Sequence, residues 1–191
     1  MDIFGNISNK KTIKKGDKNF MNNHSFVIRT LDDWQNDAIN CAGIATVDLD
    51  NGQFVTRGAL GLKTDGGYEF TCALPGANAT DLWLVEKPAV GSTIEQQEMS
   101  DPRYFYNPKG SAFSIKGLTA GRTFLEAPAS MFSTAPTDGT SKFATVDTNG
   151  RLVAATSAPS GAGTYFSIEA THSVEIGNES VKTWILKCVR N

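Results

Sequence analysis

The chain has 191 residues, 40% of them apolar and 20% charged, with a formal net charge of −2. Those proportions describe an ordinary folded protein, and they exclude a largely disordered chain or one built to neutralise nucleic-acid phosphates. Cys41, Cys72 and Cys188 fall in no close pair and no metal-ligand spacing, so they read as buried or free thiols, with a Cys41–Cys72 bridge left open. No apolar run reaches the roughly 20 residues of a membrane helix. The opening Met1–Ile7 segment carries Asp2 and lacks the apolar core of a signal peptide, so synthesis and assembly in a cytoplasm are expected.

Residues 1–15 read as a basic N-terminal arm, with Lys10, Lys11, Lys14 and Lys15 crowded together just ahead of Lys18. Such a segment is either a frayed, solvated terminus or an arm that orders on an acidic partner surface. No aromatic residue alternates with the lysines to stack on bases, which argues against a nucleic-acid tail.

A first β-domain is expected over residues 16–90. Ser25–Arg29 is strand-like, and Asp32–Asn40 reads as a helical turn or a loop holding Trp34. Ile44–Asp48 and Gln53–Thr56 flank Asn51-Gly52, a sequence that predicts a hairpin with positive φ at both central positions. Gly66-Gly67 introduces Tyr68–Leu74, and Asp81–Val85 completes the unit around Trp83.

Residues 91–118 read as a connecting segment containing Arg103-Tyr104-Phe105-Tyr106, with Asn107-Pro108-Lys109-Gly110 as a turn. Side chains alternate along a strand, so Tyr104 and Tyr106 share a face opposite to Phe105. Such a strand is buried on both sides, or one face contacts a partner.

A second β-domain, residues 119–191, repeats the order of the first. Thr145-Val146-Asp147 echoes Thr46-Val47-Asp48, Asn149-Gly150 echoes Asn51-Gly52, and Trp184 echoes Trp83, at a steady offset of about 100 residues, as in a diverged duplication. The fold expected is all-β: two tandem related barrels or sandwiches behind an extended N-terminal arm. Trp83 and Trp184 read as one core aromatic in each unit, whereas Trp34, in a polar stretch, is the better candidate for an exposed contact.

The sequence carries no nucleophile elbow, phosphate loop, dinucleotide fingerprint or zinc-ligand spacing. His24 and His172 are isolated histidines among strand residues. Asp48-Leu49-Asp50-Asn51-Gly52 lacks the later carboxylate of an EF-hand loop, and hairpin chemistry explains it better than calcium does. No catalytic residue, cofactor or metal ligand is expected, and the partner-binding candidates are Lys10, Lys11, Lys14, Lys15, Trp34, Tyr104 and Tyr106.

Paired Thr-Val-Asp…Asn-Gly units, a basic arm and the segment Arg103-Tyr104-Phe105-Tyr106-Asn107-Pro108-Lys109-Gly110 resemble bacteriophage capsid-associated proteins of the decoration, cement or head-fibre-base type. The resemblance implies a non-enzymatic virion protein on the capsid surface. It would bind the major capsid protein, with other virion proteins, a head fibre or further copies of itself as additional partners, and neither nucleic acid nor membrane. The alternative is a tail or baseplate module that binds a receptor or carbohydrate.

Overall fold

A computed structural model describes residues 24–30, 40–62, 67–86, 105–161 and 163–191. The first half contributes β1 (Arg29–Thr30), β2 (Asn40–Ala45), β3 (Leu49–Asp50), β4 (Phe54–Leu62), β5 (Tyr68–Ala73) and β6 (Leu82–Val85). Then come β7 (Tyr106–Asn107), β8 (Ala112–Gly117), β9 (Phe124–Pro128) and β10 (Phe132–Thr134). The last four strands are β11 (Phe143–Val146), β12 (Leu152–Ala155), β13 (Tyr165–Ile176) and β14 (Glu179–Arg190). One 3-10 turn, Ala129–Met131, is the only helical element among the described residues. The fold is thus nearly all β, as the composition suggests.

Five strands close a barrel in the order β2-β5-β4-β6-β8, and seven form an open sheet in the order β1-β9-β14-β13-β11-β12-β10. The short pair β3 and β7 stands apart. Residues 112–117, inside the expected connecting segment, therefore supply the strand that seals the barrel. β1, from the first half of the chain, pairs with β9 of the open sheet.

Barrel and sheet are packed on each other, because β6 and the first residues of β4 bury both of their faces. In β6, Leu82-Trp83-Leu84-Val85 is buried throughout. Trp83 and Val85 point into the barrel with Val55, Cys72, Phe113 and Ile115. Leu82 and Leu84 point the other way, joining Phe54 in one cluster with Leu125, Met131, Leu152, Phe166, Trp184 and Leu186 of the sheet side. A continuous apolar run is the pattern a doubly covered strand requires. Each fully buried Phe or Leu in that layer contributes ~1.5–3 kcal/mol. The rings of Phe54 and Phe166 meet across it at 5.4 Å. Trp83 and Trp184 are core residues, each 4% exposed, Trp83 in the barrel and Trp184 in the shared layer.

The two Asn-Gly segments fold differently. Asn51-Gly52 forms a tight turn, with the Gln53 N–H donating to the Asp50 carbonyl at 3.3 Å and Gly52 at φ +82°. Asn51 is not in the left-handed region, so this is a type II turn rather than I′. It joins β3 to β4, which do not pair: β3 pairs with β7, and β4 with β5 and β6. The hairpin expected there does not form, because β6 takes the β4 edge that β2 would have needed. Asn149-Gly150 does close the expected hairpin between β11 and β12. Its turn starts at Asp147, whose carboxylate accepts the N–H groups of Asn149 and Arg151, and ends on Gly150 at φ +69°.

Gly150 is also where the sheet touches the barrel backbone. Its carbonyl accepts the Phe54 N–H at 2.8 Å. A Cβ at position 150 would overlap the Phe54 carbonyl oxygen, and one at position 52 would lie 2.9 Å from the Val27 nitrogen. Gly150→Ala is therefore expected to lower stability by more than the ~1–3 kcal/mol of left-handed strain alone. Gly52→Ala should lose somewhat less. Denaturant melts check this, and near-wild-type midpoints for both variants would remove the close approach from the account.

All three cysteines are free. Burial pushes the Cys72 thiol up to about 11 and the Cys188 thiol up to about 12. Both values stand above the unfolded one, so the native state keeps these protons longer. Stability is then intact below about pH 8.5 and falls as pH climbs through 11 and 12. A thiol reagent at pH 8 should modify Cys41 alone in the native protein and all three cysteines in denaturant; fast native reaction of Cys188 would mean that the shared layer opens.

Candidate interaction surfaces

A dense polar cluster among the described residues lies where residues 24–28 cross β3. The His24 Nδ1–H donates to Asp50 Oδ1 at 2.6 Å, and the Ser25 N–H donates to Asp50 Oδ2 at 2.9 Å. Tyr106, the cross-strand neighbour of Asp50, stacks on the imidazole at 5.1 Å with 17° between the planes. The Asn107 amide beside it donates to the Leu49 carbonyl and to Asn51 Oδ1, both at 3.2 Å. The Asp50 N–H donates to Gln53 Oε1 at 2.6 Å, and Gln53 Nε2–H donates to the Asn149 carbonyl at 3.0 Å.

Serine, histidine and aspartate thus lie close together, but not in a catalytic order. Asp50 spends its second oxygen on a backbone N–H, and Ser25 is completely buried. A nucleophile must meet its substrate, and this hydroxyl has no route to one. The cluster instead clamps the approach to β1 onto the barrel and, through Gln53, onto the Asn149-Gly150 turn. Asp48 is occupied as well, accepting the Lys109 N–H at 2.8 Å.

Two hairpins run past the sheets that hold them. β4 pairs with β6 only as far as Thr56, and β2 reaches β5 only as far as Phe70. Beyond those limits β4 and β5 continue together, with Leu60 opposite Phe70 and Leu62 opposite Tyr68. Leu60 is 49% and Tyr68 63% exposed, the two most exposed large apolar side chains among the described residues. At the base of this extension Arg57 lies 4.7 Å from the Phe70 ring and 4.3 Å from that of Trp83.

The second hairpin is longer. β13 pairs with β11 only through Tyr165–Ser167, and β14 with β9 only through Thr183–Lys187. Ala170–Ile176 and Glu179–Ile185 nevertheless stay in register with each other. The distal part of the hairpin is a two-stranded ribbon, closed by Gly177 at φ +61° followed by Asn178. That is the form of a II′ turn. Thr183 roots the ribbon, being fully buried with its hydroxyl donating to Glu126 Oε1 at 2.9 Å. Lys182, just outside, pairs with Asp138 and holds that carboxyl below its usual range. From Glu169 to Ile176 the outer edge of β13 pairs with no other described strand, and five residues in a row, Glu169–Ser173, are exposed.

Of the sequence-predicted contact residues, Lys10, Lys11, Lys14, Lys15, Trp34 and Tyr104 lie outside the described residues, as does the expected arm. Tyr106 is half-buried, with one ring face on His24. Reasoning from sequence passed over Arg57, Leu60 and Tyr68, and also the ribbon. The Gly-Asn pair at 177–178 was a legible hairpin signal for the ribbon. Nothing local marks Arg57, since its ring partners come from β5 and β6. A shallow cleft beside Asn78, Thr145, Pro159 and Gly163 has a free volume of about 30 Å3, room for a water or two. No protein-family model matches this chain, and no curated protein matches it in sequence.

Asp50→Ala should free both the imidazole and the Ser25 N–H, at a loss of roughly 1–3 kcal/mol for a charged acceptor. Amide exchange at Ser25 and Ile28 should quicken, because the clamp precedes β1. Unchanged exchange at both would show that β1 is held by its own pairing with β9.

Proposed function

We propose that this chain is a non-enzymatic structural protein that binds the outside of an assembled bacteriophage head, as a decoration or cement protein or as the base of a head fibre. The observation that carries the reading is the β13–β14 ribbon. A two-stranded ribbon is marginal in water by itself, and an unpaired strand edge invites pairing with another chain. Here the ribbon follows from strands held firmly at their roots and left uncovered beyond them. That arrangement suits a protein whose contacts are completed by a larger assembly. The likeness of the sequence to capsid-associated proteins supplies the kind of assembly.

In this reading the units at 16–90 and 119–191 descend from a duplication, and residues 1–15 form an extended basic arm that adds a second attachment. The major capsid protein is the principal partner, and the site of action is the virion surface after synthesis in the host cytoplasm. One observation favours the alternative of a tail or baseplate module binding a receptor or carbohydrate. Tyr68 offers a ring that is 63% exposed, the kind of platform a sugar can stack on.

The deciding experiment is co-sedimentation of the purified protein with emptied heads of its source phage. Saturable binding at a fixed ratio to the major capsid protein is expected. Deleting residues 1–15 should weaken it, most at low salt, where lysine contacts count for more. Val174→Lys with Ile176→Lys should weaken it without moving the melting midpoint, since both residues lie on the ribbon outside the core. Absence of head binding, with saturable binding to a host glycan lost in Tyr68→Ala, would replace the capsid reading with the alternative.

A further inference from the structure

Strand β4 carries a cation near one end of the barrel. On β4, Val55 is fully buried in the barrel, and Arg57, two residues on and on the same side, is exposed. Its guanidinium is flanked by the rings of Phe70 and Trp83, at 4.7 and 4.3 Å. Aromatic faces hold the plane of a guanidinium and leave its N–H groups, which project from the rim, available. No carboxylate among the described residues forms an ion pair with it.

The surroundings of Arg57 are of one kind. Leu60 is the cross-strand neighbour of Phe70, and Tyr68 lies two residues from Phe70 on the same strand, so the three share a face. Beneath Arg57, Trp83 is 4% exposed and its indole N–H has no hydrogen-bond partner. A guanidinium held between phenylalanine and tryptophan, with leucine and tyrosine further along the same face, has the composition of an interface centre rather than of a solvated rim.

We infer that this barrel mouth docks an acidic side chain of a protein partner, with Arg57 receiving the carboxylate and Leu60, Phe70 and Tyr68 covering its apolar neighbours. The fork of a guanidinium matches a carboxylate with two parallel hydrogen bonds. A single cation set among apolar groups suits one carboxylate on a protein surface. A polyanion such as a nucleic acid is met by a row of cations, and the described face presents one. Because the rings already hold Arg57 in place, little side-chain freedom is lost on docking. The inference rests on the reading that this chain attaches to a protein assembly, and it names one point of that attachment.

The test uses the full chain labelled with nitrogen-15, following the Arg57 Nε–H and Trp83 Nε1–H signals. The probes are acetyl-Leu-Glu-Leu-amide, its Gln counterpart and inorganic phosphate. The Glu peptide should shift both signals in a saturable way, and the Gln peptide and phosphate should not. Arg57→Gln should abolish the response of Trp83. Arg57→Lys, which keeps the charge and loses the fork, should weaken binding about tenfold. An unchanged pattern of backbone signals in both variants excludes unfolding as the cause. Equal shifts with the Glu and Gln peptides, no shift with either, or a larger shift with phosphate would each overturn the inference. Co-sedimentation separates it from the wider reading. Wild-type binding to heads that Arg57→Gln leaves intact would overturn the mouth while keeping the capsid reading. A Glu-peptide response in a protein that ignores heads would support the mouth and remove the capsid.

Discussion

The backbone contact between Gly150 and Phe54 is the constraint on which the rest of the molecule depends. It places the β11–β12 turn directly on the strand that leads into the barrel, close enough that no side chain fits between them. Once it is made, Phe54 can face only the open sheet, and Val55 must then face the barrel interior. The same alternation passes to β6, where Leu82 and Leu84 join the shared layer and Trp83 and Val85 fill the barrel. One strand pair therefore serves two cores. Each core takes three buried side chains from that pair, Phe54, Leu82 and Leu84 on one side and Val55, Trp83 and Val85 on the other.

A barrel filled in this way has no room to be a container. Gly43 shows how tight the interior is, since a Cβ there would come within 2.7 Å of the Cys72 sulfur and 3.3 Å of the Phe113 ring. Apolar side chains occupy the inside, and the exposed Leu60 and Tyr68 lie where strands leave their sheets. The closed barrel releases β4 and β5 past its end, and the open sheet releases β13 and β14 past its edge. In both cases the root is fixed by groups with little freedom, the Arg57 stack in one and the buried Thr183–Glu126 hydrogen bond in the other. Rigid roots let an exposed hairpin present its side chains without first being ordered by a partner.

Much of this was legible in the sequence and some of it could not have been. Strand-forming runs such as Tyr68–Leu74 and Asp81–Val85 are strands because their β-branched, aromatic and alternating residues are local properties. Trp83 and Trp184 were readable as core for the same reason. The partner of each strand was not readable, because pairing is decided by distant residues. Asn51-Gly52 and Asn149-Gly150 look alike, but only the second joins strands that pair, and the difference lies in β6 occupying the edge of β4. Phe124–Pro128 has too little alternation to announce itself, yet β9 lies between β1 and β14 in the open sheet. The contact residues divide in the same way. Lysine clustering near the N-terminus is visible in composition, whereas the aromatic clamp on Arg57 exists only once three strands come together.

On the capsid reading proposed above, two short exposed hairpins suit many copies acting together better than one tight complex. The exposed contacts described are few: Leu60, Tyr68, one arginine and the outer edge of β13. Held alone, such a patch would dissociate quickly. Linked by one rigid body, two patches raise each other's effective concentration, and attachment gains strength without either becoming sticky in isolation. The charges on the ribbon, Glu169, Glu175 and Lys182, fit that requirement, since charged residues on an edge strand discourage pairing between free copies. On that capsid reading, such a protein would bind best where a regular surface offers both contacts at the right spacing.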